Sequence, residues 1–192
     1  METKFLDKLK RIKRGPAIMI QKDVGVILSN SSIDKDSKVL DAGAGCGVLT
    51  ANLARFVKKV YSYDNRKEFL SIAKENIEKF GLKNVTFKNK DVYEEIKEKN
   101  LDLITLDVKE PWLAFENAFN ALKENGDLIC YSPQITQVMR IVEESEKKFK
   151  VVKVLENIER EWMIEGVKVR PKNMIIGHTG FLTILRKNAS KN

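Results

Sequence analysis

From residue 38 onward, short apolar runs alternate with longer stretches in which apolar residues recur every three or four positions. The runs at 38–41, 60–63, 85–88, 101–106 and 127–131 predict buried strands. The longer stretches predict helices over 48–57, 66–80, 112–122 and 135–148, with Gly81 ending the second of these and a short helix following Asp91. Upstream, residues 4–14 suit an amphipathic helix with Phe5, Leu6, Leu9 and Ile12 on one side, stopped by Gly15-Pro16, and a second helix covers 22–28. Segments 151–158 and 179–185 read as a closing pair of strands. The expected fold is α/β: a mainly parallel seven-stranded sheet with helices on both faces and an antiparallel C-terminal strand.

In such a sheet, ligands bind outside the carboxyl ends of the strands. Asp41, Asp64, Asp91 and Asp107 each terminate an apolar run at such an end. One alone would read as a helix cap or a turn residue, but four in series predict a single functional crevice. The run Val39-Leu40-Asp41-Ala42-Gly43-Ala44-Gly45-Cys46-Gly47 reads as a buried strand entering a turn, whose three glycines let the backbone approach a ligand closely. The helix opening at Val48 aims its free N–H groups at the same place. Asp64 lies about 20 residues past the glycines, where nucleotide-binding folds put an acid that accepts from ribose hydroxyls.

The G-x-G-x-G spacing, with Asp41 ahead of the first glycine, suits a ligand carrying positive charge better than a pyrophosphate. S-adenosylmethionine carries a sulfonium and an ammonium group, and here the sequence resembles the class I, Rossmann-like methyltransferases from about Gly15 to Lys187. That resemblance implies cofactor contacts from Asp41, Gly43, Gly45, Cys46, Gly47, Val48, Asp64, Asp91 and Val92. Asp91 would hold the adenine amino group or cap a short helix, and Asp41 would orient the turn or meet the ammonium group through water.

Composition narrows the class. A chain of 192 residues with 43% hydrophobic content builds one domain, expected over 15–187, with a basic helix at 1–14 before it and a tail at 188–192. It has no apolar stretch near the roughly 20 residues of a membrane span, and its start lacks a signal-peptide core, so a cytoplasmic protein is expected. Cys46 and Cys130 have neither metal-ligand spacing nor a disulfide pattern, so no metal is expected. The net charge of +8 is compatible with a polyanionic partner. Lys8, Lys10, Arg11, Lys13 and Arg14, with Lys168, Arg170 and Lys172, would form a phosphate-binding rim if both clusters border the cleft.

Further segments sharpen the resemblance: Arg14-Gly15-Pro16, Lys22-Asp23, Leu106-Asp107-Val108-Lys109-Glu110-Pro111-Trp112, Tyr131-Ser132-Pro133, Gln137-Val138, Glu161-Trp162, Val169-Arg170-Pro171 and Gly177-His178-Thr179-Gly180-Phe181. In this order they resemble the tRNA adenine-N1 methyltransferases that act on T-loop adenines, the class of positions 57 and 58. The resemblance implies methyl transfer to adenine N1 with Asp107 as the active-site aspartate, and a homotetramer. The target base must leave its stack, and Pro111, Trp112 or Tyr131 would line its pocket, with Arg170 also on the substrate side. Trp112 and Trp162 read more readily as core packing, and His178 as a structural or interface residue rather than a general base.

The chain departs from the family at Ala17, Ile20, Gln21 and Lys109, and only residues 1–13 precede the Arg-Gly-Pro segment, where relatives carry a small β-rich domain. A small-molecule methyltransferase of the precorrin-modifying type is the alternative, though such enzymes generally carry small residues where this chain has Asp107 and Pro111-Trp112. A non-catalytic RNA-binding subunit is disfavoured by the intact glycines, Asp64 and Asp107.

Overall fold

The computed structural model describes residues 4–15 and 18–189. The helices α1 (Phe5–Lys10) and α2 (Gln21–Ser29) lead into β1 (Lys38–Ala42), α3 (Val48–Leu53), β2 (Lys59–Asp64), α4 (Lys67–Phe80), β3 (Val85–Asn89) and β4 (Leu101–Leu106). After these come α5 (Phe115–Ala121), β5 (Leu122–Ser132), α6 (Ile135–Ser145), β6 (Phe149–Glu156), β7 (Trp162–Glu165), β8 (Lys168–Pro171) and β9 (Phe181–Lys187). Seven strands form one sheet in the order β3-β2-β1-β4-β5-β9-β6. Strands β1 to β5 pair in parallel, and β9 runs antiparallel between β5 and β6, as the alternating pattern and the closing strand pair imply.

Successive strand residues feed two cores. Leu40, Ile104, Leu128 and Cys130 pack with Phe115, Ala118 and Ile141. Val39, Leu103, Ile129 and Ile184 pack with Val24, Ile27, Leu49 and Leu53. Burying one such aliphatic side chain stabilises by about 1.5–3 kcal/mol, so both faces hold the strands in register and leave their ends to carry chemistry. Both cysteines are buried and free. Among the described residues, no helix is long and apolar enough to cross a membrane.

Several elements differ from expectation. Helix α1 stops at Lys10, although Leu9 and Ile12 still pack against the core and Phe5 lies 4.9 Å from the Phe80 ring. Pro16 and Ala17 lie outside the described residues, as do the tail residues 190–192. No helix follows Asp91, whose Oδ1 accepts from the backbone N–H of Tyr93 (3.0 Å) and closes a turn instead. Between the expected helix 112–122 and strand 127–131, Glu124-Asn125-Gly126 form a bulge inside β5: Leu101 pairs with Leu122 but Leu103 with Asp127, and Asn125 takes φ +59°. The hairpin of β7 and β8, turning at Gly166 with φ +58°, is an element that apolar periodicity did not predict. Trp162 lies on it and is exposed, so it packs no core, whereas Trp112 does.

Candidate active site

Where β1 ends, the backbone N–H groups of Gly43 and Ala44 both donate to the Tyr63 carbonyl (3.0 and 2.9 Å), while the Asp107 N–H donates to the Ala42 carbonyl (2.9 Å). These bonds draw the ends of β1, β2 and β4 together. Gly43 has φ +91°, and a Cβ built on it would lie 2.1 Å from the Asp107 carbonyl oxygen. Glycine is required there by conformation and by contact. Gly47 starts α3 in the left-handed region, with its backbone against Ala73.

The four acids occupy different surroundings. Asp41 is buried; its carboxylate accepts from the hydroxyls of Thr50 (2.6 Å) and Thr105 (3.0 Å). Burial pushes its pKa up to about 6 against those two bonds. Asp64, the last residue of β2, is also buried. Its Oδ1 accepts from the Arg66 N–H (3.0 Å) and Nε (3.1 Å), and its Oδ2 from the Gly45 N–H (3.1 Å). The Arg66 guanidinium also stacks on Phe69, 4.1 Å from the ring centre. Asp91 accepts from Asn65 Nδ2 (3.0 Å) as well as from Tyr93.

Asp107 is exposed and lines the cleft. Withdrawal from water pushes its pKa up to about 7; the Asp41 carboxylate adds to this, Arg66 opposes it, and Asp64 adds further. Its loop is held at two points: the Glu110 N–H donates to the Tyr93 hydroxyl (2.9 Å), and Gln137 Nε2 donates to the Lys109 carbonyl (2.9 Å).

Asp64, Asp91, Val92 and Asp107 line one cavity of about 540 Å³, together with Gly43. A small lobe beside it is lined by Asp41, Gly43, Gly45, Cys46 and Val48, with Ile18 and Met19; Gly43 and Asp107 belong to both spaces. The residues fit S-adenosylmethionine. Gly43 leaves no room for a side chain between the two spaces, and a buried carboxylate faces the larger one. Three acids surround the junction where positive charge would lie.

Other expected site residues stand elsewhere. Gly47 shapes the turn without lining either space. Pro111 is buried as the first residue of a 3-10 turn, outside the cavity wall. Tyr131 is half-buried and packs against the core on the helix α2 side without lining either space; burial pushes its pKa up to about 12, Thr179 opposes this, and the Asp23 and Asp107 carboxylates add to it. Arg170 lies on β8, its Nη1 donating to Asn173 (2.7 Å). Neither basic cluster lines the cleft; its cations are Arg66, Lys90 and Lys109. Sequence reasoning also passed over Tyr93 and Gln134, and named Gln137 only within a motif, without a place in the site. For the glutamines a signal existed, since Gln134 and Gln137 form a capping box at the start of α6, beside the end of β5.

The remaining segments meet behind the cleft. Buried Lys22 donates to Asp23 and to the Thr179 hydroxyl (both 2.6 Å), and that hydroxyl donates to the other Asp23 oxygen (2.7 Å). His178 bridges the Glu156 carboxylate and the Pro133 carbonyl (2.8 Å), and Pro133 lines the cleft. The bond to Glu156, then that to Pro133, raises the His178 pKa. His178 is thus a structural tie between β6 and the loop after β5.

Comparison with known proteins agrees with this arrangement. The family described as tRNA methyltransferase complex GCD14 subunit matches residues 11–179. The chain is 37% identical to the tRNA (adenine(57)-N(1)/adenine(58)-N(1))-methyltransferase TrmI of Methanocaldococcus jannaschii, over 97% of this chain and 77% of that one. Its fold matches a SAM-dependent O-methyltransferase of Thermotoga maritima with a TM-score of 0.92 at 29% identity, covering 99% of this chain and 73% of the other. It matches the tRNA (m1A58) methyltransferase TrmI of Aquifex aeolicus with a TM-score of 0.90 at 29% identity, covering 95% and 75%. The chain therefore belongs to the tRNA methyltransferase complex GCD14 subunit family and shares the fold of the class I methyltransferases, which use S-adenosylmethionine.

Proposed function

We propose that this protein methylates N1 of a T-loop adenine in tRNA, of the position 57 and 58 class, with S-adenosylmethionine as donor. The observation that carries the reading is the position of Asp107, at the junction of the two spaces and held there by the Gly43 turn. In this reading Asp64 accepts from the ribose hydroxyls once Arg66 yields its side-chain bonds, and Asp91 and Val92 meet the adenine. Asp41, Gly43, Gly45, Cys46 and Val48 border the amino-acid end of the cofactor.

When bound, S-adenosylmethionine supplies an electrophilic methyl group, which the adenine N1 lone pair takes while sulfur keeps the electron pair of the broken C–S bond. Adenine N1 already carries its lone pair, so Asp107 has no proton to remove before attack. As a carboxylate, Asp107 accepts from the exocyclic amine and fixes the ring in line with the methyl group. It also offsets the charge that the ring acquires. The loop bonds from Tyr93 and Gln137 keep it in place. Lys109 and Lys90 supply positive charge at the rim for the nucleic-acid backbone. A family match running nearly the length of the chain favours RNA over a corrinoid substrate.

The same reading makes the protein a cytoplasmic enzyme that works as a homotetramer. The exposed Val152 and Val154 of edge strand β6, and Ile164 and Val167 of the hairpin, support such assembly. Incubation with labelled S-adenosylmethionine and unmodified tRNA, followed by nucleoside analysis, is expected to yield 1-methyladenosine. A wild-type protein that binds the cofactor but labels no adenine in tRNA would remove the substrate assignment.

A further inference from the structure

Asn76 sits within α4, 1% exposed, and its amide bonds two backbone segments that are remote in sequence. Its Oδ1 accepts from the Lys13 N–H (3.0 Å), and its Nδ2 donates to the carbonyls of Lys13 and Cys46 (both 2.9 Å). Both amide protons and the carbonyl are used, a set that aspartate, lacking donors, cannot reproduce. The bonds fasten the segment before the first strand to the glycine turn. Two residues on, Gly15 lies so close that a Cβ would sit 3.6 Å from that of Cys46. Ile18 and Met19 then share the small lobe with Gly45 and Cys46, whereas the large cavity is lined by neither Cys46 nor any residue of the N-terminal segment.

We propose that Asn76 is a positioning residue for the cofactor. By holding residues 13–15 against Cys46 it sets the wall of the small lobe, and so governs affinity for the amino-acid end of the ligand but not for its adenosine. The inference rests on reading the cleft as an S-adenosylmethionine site. Without the amide, the Lys13 N–H and the carbonyls of Lys13 and Cys46 lose these partners, the side-chain bonds that tie the segment to the turn among the described residues.

Two ligands separate this role from a general loss of stability. S-adenosylhomocysteine carries the amino-acid tail, and methylthioadenosine lacks it. By titration calorimetry, Asn76→Ala is expected to weaken S-adenosylhomocysteine by at least about tenfold while methylthioadenosine stays within about twofold of wild type. Retained methylthioadenosine binding doubles as proof that the variant is folded. Asn76→Asp turns a carboxylate toward two carbonyls and is expected to show the same selective loss. Should neither variant fold, Asn76→Gln, which keeps both donors and the acceptor but displaces them by one methylene, carries the same expectation. Equal weakening of both ligands, or of neither, overturns the proposal. A wild-type protein that binds neither ligand overturns the cofactor reading itself.

Discussion

Adding one methyl group at Gly43 tests how the turn and the catalytic loop depend on each other. The new Cβ of Gly43→Ala would lie 2.1 Å from the Asp107 carbonyl oxygen, where a relaxed carbon–oxygen contact needs about 3.3 Å or more. The two backbones must separate by roughly 1 Å, which stretches the Asp107 to Ala42 hydrogen bond. Holding an L-residue at φ +91° adds about 1–2 kcal/mol, and overpacking typically adds about 1–3 kcal/mol. A combined loss of about 2–5 kcal/mol corresponds to a melting temperature lower by roughly 5–15 °C in a domain of this size. Displacing Asp107 by that distance should slow methyl transfer by about a hundredfold. Gly81→Ala is the matched control: φ is +72°, but nothing lies within 4 Å of its Cβ, so only the backbone term applies. It should melt about 2–8 °C lower with normal turnover. If Gly43→Ala melts and turns over like Gly81→Ala, the coupling between turn and loop is refuted.

The raised pKa of Asp107, about 7, makes methyl transfer by the wild type rise with pH through that value, as the acid becomes a carboxylate. Asp107→Asn should lose that limb and several orders of magnitude in rate, with S-adenosylhomocysteine affinity nearly intact; a wild-type rate flat from pH 5.5 to 8.5 contradicts this. Because folding raises this carboxyl above its ordinary value of 3.8, its protonation favours the folded state, and that contribution is lost as pH climbs from about 4 to about 7. Asp107→Asn should therefore melt above wild type at pH 8, with the gap narrowing toward pH 5. Sedimentation at micromolar concentration is expected to give a tetramer, and a monomer there would remove the assembly assignment.

The acids at strand ends were legible because a charged residue closing an apolar run has few places to go except the crevice. The glycine turn was legible for the same local reason. Pro111 and Tyr131 show the limit: nearness in sequence to Asp107 or to the end of β5 says nothing about which way a side chain faces. Tyr131 points into the core because strand residues alternate sides. Arg66 was within reach of inspection, two residues past Asp64, but that it occupies the carboxylate depends on a rotamer. The Lys22, Asp23 and Thr179 cluster spans more than 150 positions, so its segments could be recognised while their contact could not. The β7 and β8 hairpin escaped because its apolar residues face outward, and the argument from periodicity assumes a buried face.

The position of β9 bears on how the chain acquires its structure during synthesis. Spatially it separates β5 from β6, yet it leaves the ribosome after both. Until residues 181–187 emerge, β5 and β6 each present an unpaired edge, the condition in which strands recruit other chains. The same late segment brings His178 to Pro133 and Thr179 to Lys22 and Asp23. Completion of the sheet and bracing of the catalytic loops thus belong to one final event, and a nascent chain arrested before it has the cofactor turn without the framework that supports the active site.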